Sequence, residues 1–124
     1  MSRHLRIAIV GAGPAGVYAA DILTKNEDLD VSVDVIDRDP TPFGLIRYGV
    51  APDHPRIKEI IKALKRVMSN ERIQFFCNVN FGADLKLEEL RDFYDAVIFA
   101  TGARRDRELT IPGVELDGSY GAAD

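Results

Sequence analysis

The chain has 124 residues, of which 46% are hydrophobic and 29% are charged, and its formal net charge at pH 7 is -4. This composition is typical of one small globular domain, and the acidic balance argues against a nucleic-acid partner, because phosphate binding requires an excess of basic residues. No stretch approaches the roughly 18 apolar residues of a membrane span, and no signal sequence precedes the first strand pattern. The single cysteine, Cys77, excludes an internal disulfide and fits a reducing compartment, so we expect a cytoplasmic protein.

The first part of the chain has the pattern strand, glycine turn, helix, strand. Leu5 to Val10 (LRIAIV) is a short apolar run, and the residues from Pro14 to about Lys25 have a helical pattern. Val31 to Ile36 (VSVDVI) alternates apolar and polar residues and predicts a second strand, parallel to the first. These elements predict an α/β fold of the Rossmann type, in which helices flank a mostly parallel sheet.

Further elements are predicted in the second half of the chain. Arg56 to Met68 has apolar residues at helical spacing, with Asp53 as a candidate N-cap. Ile73 to Phe81 is rich in β-forming residues, and Lys86 to Phe93 predicts a short acidic helix. Ala96 to Ala100 is fully apolar, as expected of a buried parallel strand.

Residues Gly11 to Gly16 (GAGPAG) match the pattern G-x-G-x-x-G between a predicted strand and a predicted helix. In this pattern the first glycine permits a tight turn, the second lets the backbone approach a pyrophosphate, and the third lets helix and strand pack closely. Asp37 ends the second strand, at the position of a ribose-binding carboxylate. A turn that serves packing alone is the simpler interpretation, but the context favours a dinucleotide, either NAD(P) or FAD.

Two segments resemble flavoprotein reductases. Tyr94 to Ala103 (YDAVIFATGA) resembles the strand and ATG turn near FAD in reductases that bind two dinucleotides, although an ordinary buried strand with a Thr-Gly end is also compatible with it. Thr41 to Pro55 (TPFGLIRYGVAPDHP) has the period of neither a helix nor a strand. Together with the residues as far as Lys58, it resembles the flavin-proximal segment of adrenodoxin-reductase-like ferredoxin-NADP reductases. The similarity covers essentially the whole chain.

The resemblance implies that this chain is the N-terminal portion of a FAD-binding domain. The implied FAD contacts come from the glycine turn, the end of the second strand, the flavin-proximal segment and two later loops: Gly11, Gly13, Pro14, Ala15, Gly16, Asp37, Arg38, Gly44, Leu45, Val79, Thr101 and Gly102. A Glu is typical of the family at the position of Asp37, so the side chain here is one methylene shorter. No residue of this chain is expected to be catalytic, because the flavin carries the chemistry, and no metal site is expected.

The resemblance also implies an enzyme in which NADPH reduces FAD and the flavin passes electrons to a ferredoxin-type iron-sulfur protein. NADP(H) would bind in a second glycine-rich domain that is absent from this chain. We therefore expect residues 1–110 to belong to the FAD-binding domain and residues 111–124 to begin the connection to the NADP-binding domain. The isolated chain is expected to be inactive.

Several alternatives remain open. The reductase unit of glutamate synthase or of dihydropyrimidine dehydrogenase usually has two glycines in the flavin-proximal segment, whereas Phe43-Gly44-Leu45 has one. A non-catalytic nucleotide-binding module is an alternative of a different class. Disulfide reductases place a cysteine pair in the flavin-proximal segment, which has no cysteine here, and Cys77 is expected to be structural.

The predicted helix from Arg56 to Met68 has a basic face, which either steers an acidic ferredoxin or is an ordinary solvated face. Its basic residues are Arg56, Lys62, Lys65 and Arg66.

Overall fold

A parallel sheet forms the centre of the computed structural model, which describes residues 3–103 and 105–121, without the side chain of Lys58. The strands are β1 (Leu5–Val10), β2 (Val31–Ile36), β3 (Ile73–Phe76) and β4 (Ala96–Phe99), and the helices are α1 (Pro14–Lys25), α2 (Gly44–Tyr48), α3 (Pro55–Lys58), α4 (Ile60–Met68) and α5 (Leu87–Phe93). The order in the sheet is β3-β2-β1-β4, and all neighbouring strands are parallel. The predicted α/β fold is therefore confirmed. Within the described ranges, no helix is long and apolar enough to cross a membrane.

Apolar side chains of β1 and β2 are buried on both faces of the sheet. Ile9 pairs in register with Val35, and both side chains lie in the core that α1 and α4 cover. Val10 pairs with Ile36, and these side chains lie on the opposite face in a smaller cluster with Leu90 of α5. Because successive strand residues point to opposite faces, a strand with neighbouring buried apolar residues, such as Ile9 and Val10, requires cover on both sides. This is the flanked sheet that the sequence predicts.

The helix predicted from Arg56 to Met68 is divided at Glu59 into α3 and α4. At this junction the N–H of Lys62 bonds to the carbonyl of Glu59, three residues earlier, which is a tighter spacing than in an α-helix. The predicted N-cap is also wrong. His54 occupies the N-cap position of α3, and the carboxylate of Asp53 instead lies 3.0 Å from Nδ1 of His54.

The segment from Thr41 to Pro55, which has the period of neither a helix nor a strand, contains the helix α2 of five residues. Such a helix completes little more than one turn, so it shows no helical period that a sequence pattern can detect. Helix α2 was therefore not among the predicted elements.

The strand predicted from Ile73 to Phe81 ends at Phe76. Asn78 has a φ of 61°, and the chain there turns over the end of β2, where the N–H of Asn78 donates to the carbonyl of Asp39 at 3.0 Å. Cys77 consequently lies in this loop and is half-buried, so its predicted placement in a strand is wrong.

β4 lies at one edge of the sheet, and Phe99 is 51% exposed. In the described part of the chain only β1 pairs with this strand. The prediction of a buried strand is therefore wrong. An apolar run shows that a strand suits burial, but it does not show whether other residues of the same chain cover it.

Candidate functional site

The carboxyl ends of the strands bring most of the predicted site residues to one edge of the sheet. The Gly11–Gly16 turn follows β1, Asp37 follows β2, and Thr101 lies just beyond β4. Since β1 lies between β2 and β4, the glycine turn lies between the other two positions. This edge is the usual location of ligands in parallel α/β sheets.

The glycines of the turn differ in what surrounds them. A Cβ on Gly11, whose φ is +116°, would lie 2.2 Å from the carbonyl oxygen of Ala100, and a Cβ on Gly16 would lie 1.9 Å from the carbonyl oxygen of Gly11. These two positions therefore exclude any side chain. A Cβ on Gly13 would meet nothing within 4 Å, so the backbone of Gly13 is open to a ligand.

The first turn of α1 begins at this open position. Gly13 is the N-cap, Pro14 follows it, and no side chain from the described residues caps the helix. Helix N-termini leave backbone N–H groups without an intrahelical acceptor and carry a partial positive charge. Ala15, in this turn, is exposed. The arrangement suits an anionic group placed over Gly13.

The carboxylate of Asp37 is bound by backbone on both sides. Its Oδ2 accepts the N–H of Ala12 at 2.6 Å, and its Oδ1 accepts the N–H of Asp39 at 2.8 Å. Arg38 is exposed and borders an open polar cleft of about 600 Å³, which is lined by Arg38, Asp39, Asn78, Asn80, Asp84 and Arg105. The predicted ribose carboxylate thus lies between the glycine turn and a polar cleft.

The segment after β2 packs directly on the glycine turn. The N–H of Phe43 donates to the carbonyl of Ala12 at 2.7 Å, and a Cβ on Gly44 would lie 3.2 Å from the Cα of Gly13. Leu45, at the start of α2, is 57% exposed. The predicted residue Gly44 therefore lies beside the open position at Gly13, and the exposed Leu45 follows it in the chain.

Phe43 was not among the predicted site residues. Its φ is 91°, which aromatic residues rarely adopt, and its ring is 1% exposed. The guanidinium of Arg47 lies 5.3 Å from the centre of this ring, and its Nε donates to the carbonyl of Pro42 at 3.0 Å. The only sequence signal for this position is that Phe43 precedes a glycine in an aperiodic segment. Ala12 was missed too, because backbone hydrogen bonds leave no signal in residue type.

The remaining predicted residues lie at the two ends of the site. Val79 packs against the cluster around Leu90, and its N–H donates to the carbonyl of Asp37 at 2.9 Å, so its side chain faces the core. Thr101 and Gly102 are exposed beyond β4, where Gly102 has a φ of +64°.

The thiol of Cys77 lies at the adenosine side that the sequence predicts. Burial raises its pKa, and the nearby carboxylates of Asp37 and Asp39 raise it further. A thiol with a raised pKa is protonated at neutral pH and is a poor nucleophile. Cys77 therefore fits a structural residue.

Comparisons with known proteins agree over nearly the whole chain. A family model described as pyridine nucleotide-disulphide oxidoreductase matches residues 5–123. Mitochondrial NADPH:adrenodoxin oxidoreductase of Arabidopsis thaliana is 52% identical over 123 residues, which are 99% of this chain and 25% of that protein. NADPH-ferredoxin reductase FprA of Mycobacterium tuberculosis is 50% identical over 126 residues, which cover 98% of this chain and 28% of that protein.

A solved structure extends this similarity to the backbone. The structure of Mycobacterium tuberculosis FprA in complex with NADPH has a TM-score of 0.85 and 47% identity to this chain, and the match covers 98% of this chain and 28% of that one. The chain therefore spans about a quarter of the length of these relatives. With its sheet, its glycine turn and these matches, the chain belongs to the pyridine nucleotide-disulphide oxidoreductase family.

Proposed function

We propose that this chain is the N-terminal part of the FAD-binding domain of a ferredoxin-NADP reductase. The relatives that support this are named as NADPH-dependent adrenodoxin and ferredoxin reductases and are about half identical to it. The structural observation that carries the proposal is the contact between Gly44 and Gly13, which brings the flavin-proximal segment onto the dinucleotide turn.

The residues at this edge fit FAD. The backbone at Gly13 is open, so a pyrophosphate would bind there against Ala15, Gly16 and the N-terminus of α1. The carboxylate of Asp37 would accept hydrogen bonds from the ribose hydroxyls, and Arg38 would border the adenine in the polar cleft. Gly44 and Leu45 would lie along the isoalloxazine ring, with Thr101 and Gly102 at the opposite side. Val79 would contribute its backbone, since its side chain faces the core.

FAD, when bound, supplies the transfer of two electrons from a nicotinamide and of single electrons to an iron-sulfur protein. The residues of this chain hold and orient that cofactor, and we assign none of them to the catalytic step. NADP(H) would bind in a domain outside this chain. Residues 1–110 would belong to the FAD-binding domain and residues 111–124 to the start of the connection, although residues 122–124 lie outside the described structure.

The acceptor we propose is a ferredoxin-type iron-sulfur protein. A disulfide acceptor would require a cysteine pair beside the flavin, and this chain has one cysteine, Cys77, next to Asp37 instead. Lys62, Lys65 and Arg66 are exposed on α4 and would attract an acidic ferredoxin. Replacing Lys62 and Lys65 by Gln is expected to slow association with ferredoxin at low salt, whereas Lys86→Gln, outside α4, is the control. Equal association rates would indicate an ordinary solvated face.

Other functions are less well supported. The glutamate synthase and dihydropyrimidine dehydrogenase type is disfavoured by the single glycine in Phe43-Gly44-Leu45. A non-catalytic module is disfavoured by relatives that are named as reductases. A cytoplasmic location stays a prediction, since several relatives are named as mitochondrial.

The experiment that tests this function is a visible absorption spectrum of the full-length protein before and after anaerobic addition of NADPH. Flavin bands that NADPH bleaches, and that return when oxidised ferredoxin is added, are the expected result. A purified protein that binds no flavin would contradict the proposal. Bleaching without reoxidation by ferredoxin would support a flavoprotein with a different acceptor.

A further inference from the structure

Ala12, between the first two glycines of the turn, is held through both of its backbone polar groups. Its N–H donates to Oδ2 of Asp37 at 2.6 Å, and its carbonyl accepts the N–H of Phe43 at 2.7 Å. Its side chain is fully buried in the core. Two groups that are distant from the turn in sequence therefore determine where this residue lies.

The carboxylate of Asp37 connects two parts of the site. Its second oxygen accepts the N–H of Asp39, so one carboxylate joins the turn after β1 to the loop after β2. Hydrogen bonds from backbone N–H to a carboxylate are roughly twice as strong as those between neutral groups. A carboxylate offers about four acceptor positions, so occupation of two by the backbone leaves room for a ligand hydroxyl.

A glycine turn benefits from such support, because glycine loses more conformational freedom on ordering than any other residue. A ligand that had to order the turn itself would bind less tightly. We infer that Asp37 is a positioning residue, whose carboxylate holds Ala12 and thereby sets the Gly11–Gly16 turn in its pyrophosphate-binding conformation before the dinucleotide arrives. The inference rests on the proposed function and adds to the ribose contact a task that Asp37 performs in the flavin-free protein.

Phe43 holds the other side of the same residue. Its buried ring anchors it in the core, and its N–H reaches Ala12 from the flavin-proximal segment. The carboxylate at the predicted ribose end and the segment at the predicted flavin end thus meet at Ala12. A change at Asp37 is therefore expected to loosen the turn itself and not only the ribose contact.

The test is amide hydrogen exchange in the full-length protein after removal of flavin, resolved at Ala12 and Asp39. Asp37→Ala removes both acceptors, and Asp37→Asn keeps a single carbonyl oxygen. We expect exchange to be about tenfold faster, or more, at both amides in Asp37→Ala and at one or both in Asp37→Asn. Asp30→Asn is the matched control, because Asp30 is exposed at the opposite end of β2 and contacts His4. Exchange at Ala12 and Asp39 is expected to be unchanged in this control.

FAD affinity, measured by flavin fluorescence in the same variants, completes the test. A lower affinity with unchanged exchange at Ala12 and Asp39 would overturn the inference and leave Asp37 as a ribose contact alone. If the wild-type protein binds no FAD, the proposed function fails, yet exchange in the flavin-free variants still decides whether Asp37 holds the turn. Should Asp37→Ala not fold, Asp37→Asn alone gives the answer.

Discussion

The carbonyl oxygen of Ala100 lies 2.2 Å from the position that a Cβ on Gly11 would occupy. The ends of β4 and β1 therefore meet at a point where only a hydrogen atom fits. This contact connects the glycine turn to the Thr101-Gly102 turn, which the sequence places far away.

Gly11→Ala is expected to lower the free energy of unfolding by about 3 kcal/mol or more, because the added methyl clashes with backbone and alanine is strained at a φ of +116°. Gly13→Ala is the matched variant, since its methyl would meet nothing within 4 Å. Gly13→Ala is expected to leave the thermal stability of the flavin-free protein unchanged and to weaken FAD binding. Equal loss of stability in both variants would contradict this difference between the two glycines.

An alanine variant is usually more stable than the glycine variant at the same position, and we expect the opposite at Phe43. Both Phe43→Ala and Phe43→Gly lose the buried ring, at a cost of about 3 kcal/mol or more. Glycine adopts a φ of 91° without strain, so Phe43→Gly should be more stable than Phe43→Ala by roughly 1 kcal/mol. Ile46 in α2 provides the control, because Ile46→Ala should be more stable than Ile46→Gly within a helix. Chemical denaturation measures all four, and the same order at both positions would contradict the argument from φ.

The partial burial of Tyr94 and the hydrogen bond of its hydroxyl predict that stability changes at alkaline pH. Its hydroxyl donates to Oδ2 of Asp34 at 2.7 Å, and burial followed by this hydrogen bond raises the pKa of Tyr94 to about 12 from 10.0. Because the pKa is higher in the folded state, the contribution of Tyr94 is complete below pH 10 and is lost as the pH rises towards 12.

Tyr94→Phe is accordingly expected to lower the free energy of unfolding by about 1 kcal/mol at pH 7. It should also make the decline in stability between pH 10 and pH 12 shallower. Thermal unfolding of the flavin-free protein across this range measures both effects. Tyr120→Phe is the control, because Tyr120 is 83% exposed. An unchanged alkaline profile in Tyr94→Phe would show that Tyr94 does not contribute to it.

Alkylation of Cys77 should be slow at neutral pH. Its pKa is raised above the ordinary value of 9.0, first by burial and then by Asp37 and Asp39, so the thiolate is scarce. We expect the alkylation rate of the Cys77 peptide, followed by mass spectrometry, to rise with a midpoint above pH 9.0. Asp37→Asn should lower that midpoint without removing the shift, because burial is the larger cause. Rapid alkylation at pH 7 would contradict a protonated thiol.

The sequence alone determined the chemistry and the local order of the site. The first three elements have the predicted bounds, because the apolar period, the glycine turn and the proline at the helix start are local signals. These elements are β1 (Leu5–Val10), α1 (Pro14–Lys25) and β2 (Val31–Ile36). The placement of Asp37 at the end of β2 follows from the same local pattern.

Only the tertiary structure decided which backbone groups meet. The hydrogen bonds of Ala12 to Asp37 and Phe43 join residues that no pattern connects, and backbone N–H and carbonyl groups are the same in every residue type except proline. The positive φ of Phe43 and Asn78, and the early end of β3, likewise depend on how loops close over neighbouring strands. Residue types therefore specify what can bind at this edge of the sheet, whereas packing specifies the conformation in which the turn is held.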